Sequence, residues 1–370
     1  MRTMLRRLGT ALLFLAVALC FAPALVPPFL DRIYYRGPAT DHFDGRRFFN
    51  PEDRAQPPVR VNPARFFNRW AKGEGRAKWP DNVPVTPTVP PERVPGNAML
   101  VTWIGHSTVL VQTGGVNILT DPIWSERASP FSFIGPRRVR TPGVRFEDLP
   151  PIDLVLVSHN HYDHMDLPTL KRLWDRDRSL IVTSLGNDAI LGSAGIRAKS
   201  ADWGGVVRGG WRACAAEIDP CFPQRIEVVV ERVHHWGSRW GTDRNRALWS
   251  GFTVRLPGGN LFFAGDTGYG GGGWASADAK DGPYRLAILP IGAYAPRDVM
   301  SGNHMDPDEA VDVFRRLGAR TALGVHWGTF QLTFEPIGDP PRRLAAALKR
   351  QGIAPERFVA TEVGRTFEVP

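Results

Sequence analysis

From Met99 onward the chain alternates short apolar runs with breaks marked by glycine or proline. MLVTWIGHSTVLVQTGGVNILTDP, residues 99–122, reads as short strands folded about a Gly114–Gly115 turn. Four further runs, DLVLVS, RIEVVVERV, NLFFAG and ARTALGV, are too continuously apolar to leave one face wet. They predict strands covered on both faces, as in α/β sheets. Helical periodicity separates some of them. In DPDEAVDVFRRLG, Asp306 is the predicted N-cap, Pro307 takes the first position, Glu309 closes a capping box and Gly318 follows the last turn. Ala310, Val311, Phe314 and Leu317 form its apolar stripe. DLPTLKRLW and PPRRLAAALKRQG have the same character.

Each of the four apolar runs ends beside a residue able to bind metal: His159, His234–His235, Asp266 and His326. Ligands of open α/β sheets collect at strand ends, so this arrangement predicts one shared site. The densest part is HNHYDH, with three histidines and an aspartate in six residues. Residues two apart in extended chain point the same way, so His159 and His161 can grip one ion. Asp163 and His164, where the chain turns, reach a second. With His235, Asp266 and His326 the set holds five imidazoles and two carboxylates and no thiolate. That mixture suits zinc, and iron or manganese also fit. Two ions sharing a carboxylate can hold a bridging hydroxide that attacks phosphorus or carbonyl carbon near neutral pH.

HNHYDH matches the HxHxDH signature of the metallo-β-lactamase fold, which implies a four-layer αββα sandwich with a binuclear metal site. Together with TWIGHSTVLV, LTDPIWSERASP, GPRRVR, FFAGDTGYG, LPIGAYAPR, HMDPDEA and HWGTF, the chain from about residue 99 to 366 resembles the N-acylphosphatidylethanolamine-hydrolysing phospholipase D family. The resemblance implies two zinc ions, one on His159, His161 and His235, the other on Asp163, His164 and His326, with Asp266 bridging. His235 rather than His234 is implied because the family pattern is His followed by Trp. Asp163 and Asp266 are thereby catalytic as well as ligands. His304 of NHMDPDEA matches an active-site histidine that binds no metal, placed before a helix N-terminus to meet phosphate oxygens or the leaving group. Asp121 of LTDP is expected to orient a ligand histidine. His106 of GHST is either behind a ligand or simply buried. Arg137 and Arg138 either face an anionic head group or are solvated. Trp236 and Trp327 point to packing. The sequence departs from the family pattern in the glycine-rich GYGGGGWASADAKDG and in RACAAEIDPCF, either of which can reshape the mouth of the site.

The N-terminal quarter carries no such pattern. Arg2, Arg6 and Arg7 precede an apolar run from Leu8 to Phe21, the layout of a secretory signal or membrane anchor, and Ala22-Pro23-Ala24 is a weak cleavage motif. Leu19 before Cys20 argues against lipidation. As an uncleaved anchor, the segment keeps its arginines cytoplasmic and places everything after residue 30 on the extracytoplasmic side of a membrane. Residues 31–98 contain ten prolines between Pro51 and Pro95 and the pairs Phe48–Phe49 and Phe66–Phe67, and read as an extended arm docked on the main domain. The expected organisation is therefore a signal or anchor at 1–30, an arm at 31–98 and a catalytic domain at 99–370. Cys214 and Cys221 are either a small disulfide loop or free thiols.

A net charge of +9 favours anionic surfaces. The expected function is a zinc phosphodiesterase of phospholipase D type, converting N-acylphosphatidylethanolamine or a related glycerophospholipid to phosphatidic acid and an N-acylethanolamine or alcohol. Its expected partners are the phospholipid and a membrane surface; homodimer assembly is compatible with this and nucleic acid is not expected. The alternatives are a metal-dependent lactonase or phosphodiesterase on a soluble substrate, such as a sugar phosphate lactone or nucleic acid, and a metal-binding surface protein without catalysis. HMDPDEA and HWGTF together are not expected of lactonase-like relatives, the leader directs the chain away from nucleic acid, and a decayed site would have lost some ligands.

Overall fold

The structure, a computed structural model, describes Met4 and residues 6–18, 32–55, 68–69, 71–212 and 223–370. Residues 22–24, Cys20, Phe66–Phe67, Cys214 and Cys221 lie outside the described residues. Residues 6–18 are an exposed helix, and no helix among the described residues is long and apolar enough to cross a membrane.

Among the described residues, fourteen strands form two seven-stranded mixed sheets. The first contains β1 (Met99–Gly105), β2 (Thr108–Thr113), β3 (Val116–Thr120), β4 (Leu154–Val157), β5 (Leu180–Ser184), β6 (Lys199–Ala201) and β14 (Thr366–Glu368), in the order β14-β1-β2-β3-β4-β5-β6. The second contains β7 (Val206–Arg212), β8 (Pro223–Glu231), β9 (Gly251–Arg255), β10 (Asn260–Phe263), β11 (Tyr284–Pro290), β12 (Thr321–Val325) and β13 (Phe358–Val359), in the order β13-β12-β11-β10-β9-β8-β7. Each sheet is antiparallel in one half and parallel in the other: β3 to β6, and β10 to β13, run parallel. Gly114 and Gly115 both take positive φ, 58° and 74°, as the tight β2–β3 reversal demands.

Strand alternation sets the layers. Val109, Val111, Leu154 and Leu156 enter the main core with Phe252, Phe262, Ala287 and Leu323 of the second sheet. Leu110, Leu119, Val155 and Val157 point the other way, onto Leu170 and Leu173 of the helix Leu167–Asp177. The sheets thus face each other, with helices outside. The helix Pro307–Leu317 has the expected cap: Asp306 Oδ1 accepts from Asp308 N and Glu309 N at 3.0 Å, Glu309 Oε2 accepts from Asp306 N, and Gly318 closes the end at φ 65°. From residues 32–55, Phe43 and Phe48 pack with ring centroids 4.6 Å apart and join the main core.

The second sheet also buries two acids, Glu231 and Asp278. Thr253 Oγ1 donates to Glu231 Oε1 at 2.6 Å, while Asp278 Oδ2 finds no partner. Burial raises both carboxyls, Glu231 to about 7 and Asp278 to about 9, and the Glu231 charge adds to the rise at Asp278. Both groups hold protons better folded than unfolded. Their contribution to stability is therefore full below about pH 4 and is lost as pH climbs through the folded values. Asp278→Asn should raise the melting temperature at pH 8, by about 2–4 °C for each kcal/mol recovered, and leave it nearly unchanged at pH 4. A calorimetric scan showing the same shift at both pH values would contradict this.

Candidate metal centre

The turn after β4 is built by backbone bonds that reverse the chain: His164 N and Met165 N both donate to His161 O, at 3.2 and 2.8 Å. This directs His159 and His161 to one side and Asp163 and His164 to the other. His159, His161 and His235 form one group able to hold an ion, and His106, Asp163, His164 and His326 form another. Asp266 stands between them. Its Oδ2 lies 3.1 Å from both His164 Nε2 and His326 Nε2, 3.8 Å from His235 Nε2 and 4.0 Å from His159 Nε2. Asp266 gets there through Gly265, at φ 61°, where a Cβ would fall 2.4 Å from Ser158 Cβ; only glycine lets the end of β10 pass so close to the end of β4.

Surrounding groups fix the rings. Asp121, itself at φ 29°, accepts from His164 Nδ1 at 2.6 Å and from Ser158 Oγ and N at 2.6 and 2.7 Å. His164 Nε2 is thereby aimed at Asp266, the task expected of a carboxylate behind a ligand. His235 Nδ1 donates to Asn303 O, freeing its Nε2, and Asn50 Nδ2 donates to His235 O. His106 resolves the open alternative: its Nε2 donates to Asp163 Oδ2 at 2.9 Å. His234 lies apart from both groups, 3.2 Å from Asp53.

The electrostatics sort the imidazoles. Burial keeps His159 and His235 far below the usual histidine range, His161 at about 4 and His106 at about 3, so all four are neutral. Burial also works against charge on His326 and His164, but Asp266 and Asp163 outweigh it, holding His326 at about 9 and His164 well above normal. Burial likewise opposes ionisation of Asp266 and Asp163, and the neighbouring imidazolium charges win there too. Cations entering between these groups would displace those protons.

The donor set fits metal. His161 Nε2, His164 Nε2, His235 Nε2, both ring nitrogens of His326 and Asp266 Oδ1 are buried without hydrogen-bond partners. Leaving such atoms unsatisfied costs about 1–3 kcal/mol each, too much for so many in one place unless an ion satisfies them. His159 Nε2 and His161 Nδ1 face each other at 2.8 Å, and with His235 each ring offers one ligand atom to the same point.

His304 stands beside this cluster, buried, with Nδ1 unpartnered and 4.0 Å from Asp266 Oδ2. Its neighbours His235 and Asp266 give it the geometry of a third ligand group as well. Its loop is braced by Arg297, which donates to His304 O at 2.8 Å and to both Glu309 oxygens. The helix N-terminus beyond it is not open to phosphate, because Asp306 already accepts its free N–H groups. Any contact there falls to the His304 side chain.

A cavity of about 1010 Å³ opens onto Asp163, Asp266 and His304. Its walls include Val299, Met300, Leu332 and Trp236, and Arg244 lies over the Trp236 ring at 3.9 Å. Trp236, expected to pack, is thus a wall, whereas Trp327 does pack, against Trp103 at 5.0 Å. Arg138 does not reach a head group: it is buried and donates to the carbonyls of Ser125 and Ile123. The glycine-rich stretch does not shape the mouth either. It folds into the helix Gly273–Asp278, which puts Trp274 and Ala275 in the core.

Fold and site define the class: a metal-dependent hydrolase with the metallo-β-lactamase fold. A family model described as a beta-lactamase superfamily domain matches residues 116–327. Over 275 residues the chain is 36% identical to N-acyl-phosphatidylethanolamine-hydrolyzing phospholipase D 1 of Caenorhabditis elegans, covering 74% of this chain and 76% of that one, and it belongs to that family. An uncharacterized protein of Mycobacterium tuberculosis is 36% identical over 261 residues, 69% of this chain and 65% of its own. A metallo hydrolase of Ignicoccus hospitalis superposes with a TM-score of 0.52 at 22% identity over 74% of this chain and 99% of that one, a likeness of fold alone.

Proposed function

We propose that the protein is a di-zinc phosphodiesterase of phospholipase D type, cleaving N-acylphosphatidylethanolamine or a related glycerophospholipid. The observation that carries the reading is the cavity, large and apolar-walled, with the His/Asp cluster at its floor and a cation, Arg244, on its wall. The named activity of the C. elegans relative supports the same substrate class.

His159, His161 and His235 would hold one ion, Asp163, His164 and His326 the other, and Asp266 would lie between. Bound there, the ions supply Lewis acidity toward phosphoryl oxygen and make water more acidic. Asp121 and His106 keep His164 and Asp163 in place. Burial leaves His304 neutral, at about 4, so its imidazole can accept the proton of the attacking water and return it to the departing alkoxide. The apolar walls hold the chains of the lipid and exclude bulk water. The pattern of the leader supports a place for this enzyme at the extracytoplasmic face of a membrane.

Hydrolysis of N-acylphosphatidylethanolamine in ¹⁸O-water should label phosphatidic acid and leave the N-acylethanolamine unlabelled. Label in the alcohol would mean carbon–oxygen cleavage, and label in a fatty acid would mean ester hydrolysis; both sink the phospholipase D assignment. No lipid turnover with rapid opening of a lactone would favour a soluble substrate.

A further inference from the structure

Next to the cavity a short hairpin projects from the first sheet. Its base is paired: Ala128 N donates to Pro136 O and Arg138 N to Glu126 O, both at 3.0 Å. Buried Arg138 ties the base to the carbonyls of Ser125 and Ile123. At the tip, the Arg127 guanidinium donates to Ser132 O at 3.1 Å and Gly135 O at 2.6 Å. The backbone is thus drawn inward while the apolar side chains point out. Phe131, Phe133 and Ile134 are 49%, 77% and 58% exposed, with the two rings 5.5 Å apart.

Three large apolar side chains held out on a braced, convex tip are costly in water, and the clamp prevents them from collapsing onto the protein. A convex tip has no groove of its own to receive a peptide. Ala128 of its base lines the cavity, so whatever covers the tip lies at the cavity mouth. Trp240 is 39% exposed and its ring lies edge-on to that of Tyr162, another wall residue, at 6.4 Å. Exposed Arg137 beside the tip, 3.5 Å from Glu126, and Arg244 on the cavity wall add positive charge around the mouth, in a chain of net charge +9. Aromatic and aliphatic side chains flanked by arginines suit the boundary between acyl chains and anionic head groups.

We infer that the tip Phe131–Ile134 inserts into a phospholipid surface bearing anionic lipid and seats the cavity mouth on it. This placement lets a lipid pass from the bilayer to the His/Asp cluster without crossing water. It extends the lipid-hydrolase reading, yet its test needs no turnover, so each can fail without the other.

The full chain would carry a photo-crosslinking p-benzoylphenylalanine in place of Phe133, of Ile134 or of Gln351, and be irradiated on vesicles of phosphatidylcholine and phosphatidylglycerol. Gln351 is the reference, because its side chain accepts from Arg315, beyond the end of β12 opposite His326. Mass spectrometry should find acyl-chain adducts at 133 and 134 and none at 351. Absence of lipid adducts at both tip positions, equal adducts at 351, or adducts to a second copy of the chain would overturn the inference. The full chain on phosphatidylcholine alone should show a several-fold lower yield at 133; an equal yield would remove the anionic component.

Discussion

Asp266→Asn should lower turnover by on the order of 10³ or more, about 4 kcal/mol of barrier, while the fold survives. The substitution preserves shape but removes the one negative charge within 4.0 Å of His159, His164, His235 and His326 together. Ions facing a neutral amide repel each other without a shared counter-charge, so metal content should fall as well. Elemental analysis and activity on the same preparation check both. His235→Ala should lose about one ion, whereas His234→Ala, whose ring meets Asp53 instead, should retain the full content. Full activity in Asp266→Asn would dismantle the assignment of the centre.

His304→Ala should have the opposite signature: unchanged metal content with turnover reduced roughly 10²–10⁴-fold, the usual range for a lost general acid–base group. His304 stands in a ligand-like group with His235 and Asp266, so its role is decided by which quantity moves. Loss of an ion in this variant would make it a ligand. Retained metal with retained turnover would make it a buried bystander. Arg297→Ala, which releases the His304 loop and the Glu309 carboxylate, should reproduce a weaker form of the same loss through kcat with little change in KM.

Much of the site was legible because its chemistry follows strand ends. The HNHYDH spacing and the runs ending at His235, Asp266 and His326 singled out seven residues that the fold does bring together, and the family resemblance added His304 beside them. The capping box at Asp306 was equally readable, since it is local. What escaped depends on distant partners. β5, β9 and β11 carry no ligand at a marked break, so nothing local sets them apart. Arg137 and Arg138 look alike in GPRRVR, yet one is exposed and the other spends its donors on backbone carbonyls. Trp236 and Trp327 both follow a histidine, yet one walls the cavity and the other packs. Backbone strain was also invisible: His106, Asp121 and His326 hold φ of 54°, 29° and 64°, conformations that no residue type there announces. Strain of this kind, about 1–3 kcal/mol per residue, persists only where surrounding structure enforces it.

The way the ligand groups divide between the sheets has a further consequence. His159 and His161 follow β4 in the first sheet and His235 follows β8 in the second; Asp163 and His164 again come from the first, His326 and Asp266 from the second. Neither half of the chain owns a complete set. Each ion would act as a rivet through the joint between two structurally matched halves, so loading the centre and clamping the halves together would be a single event.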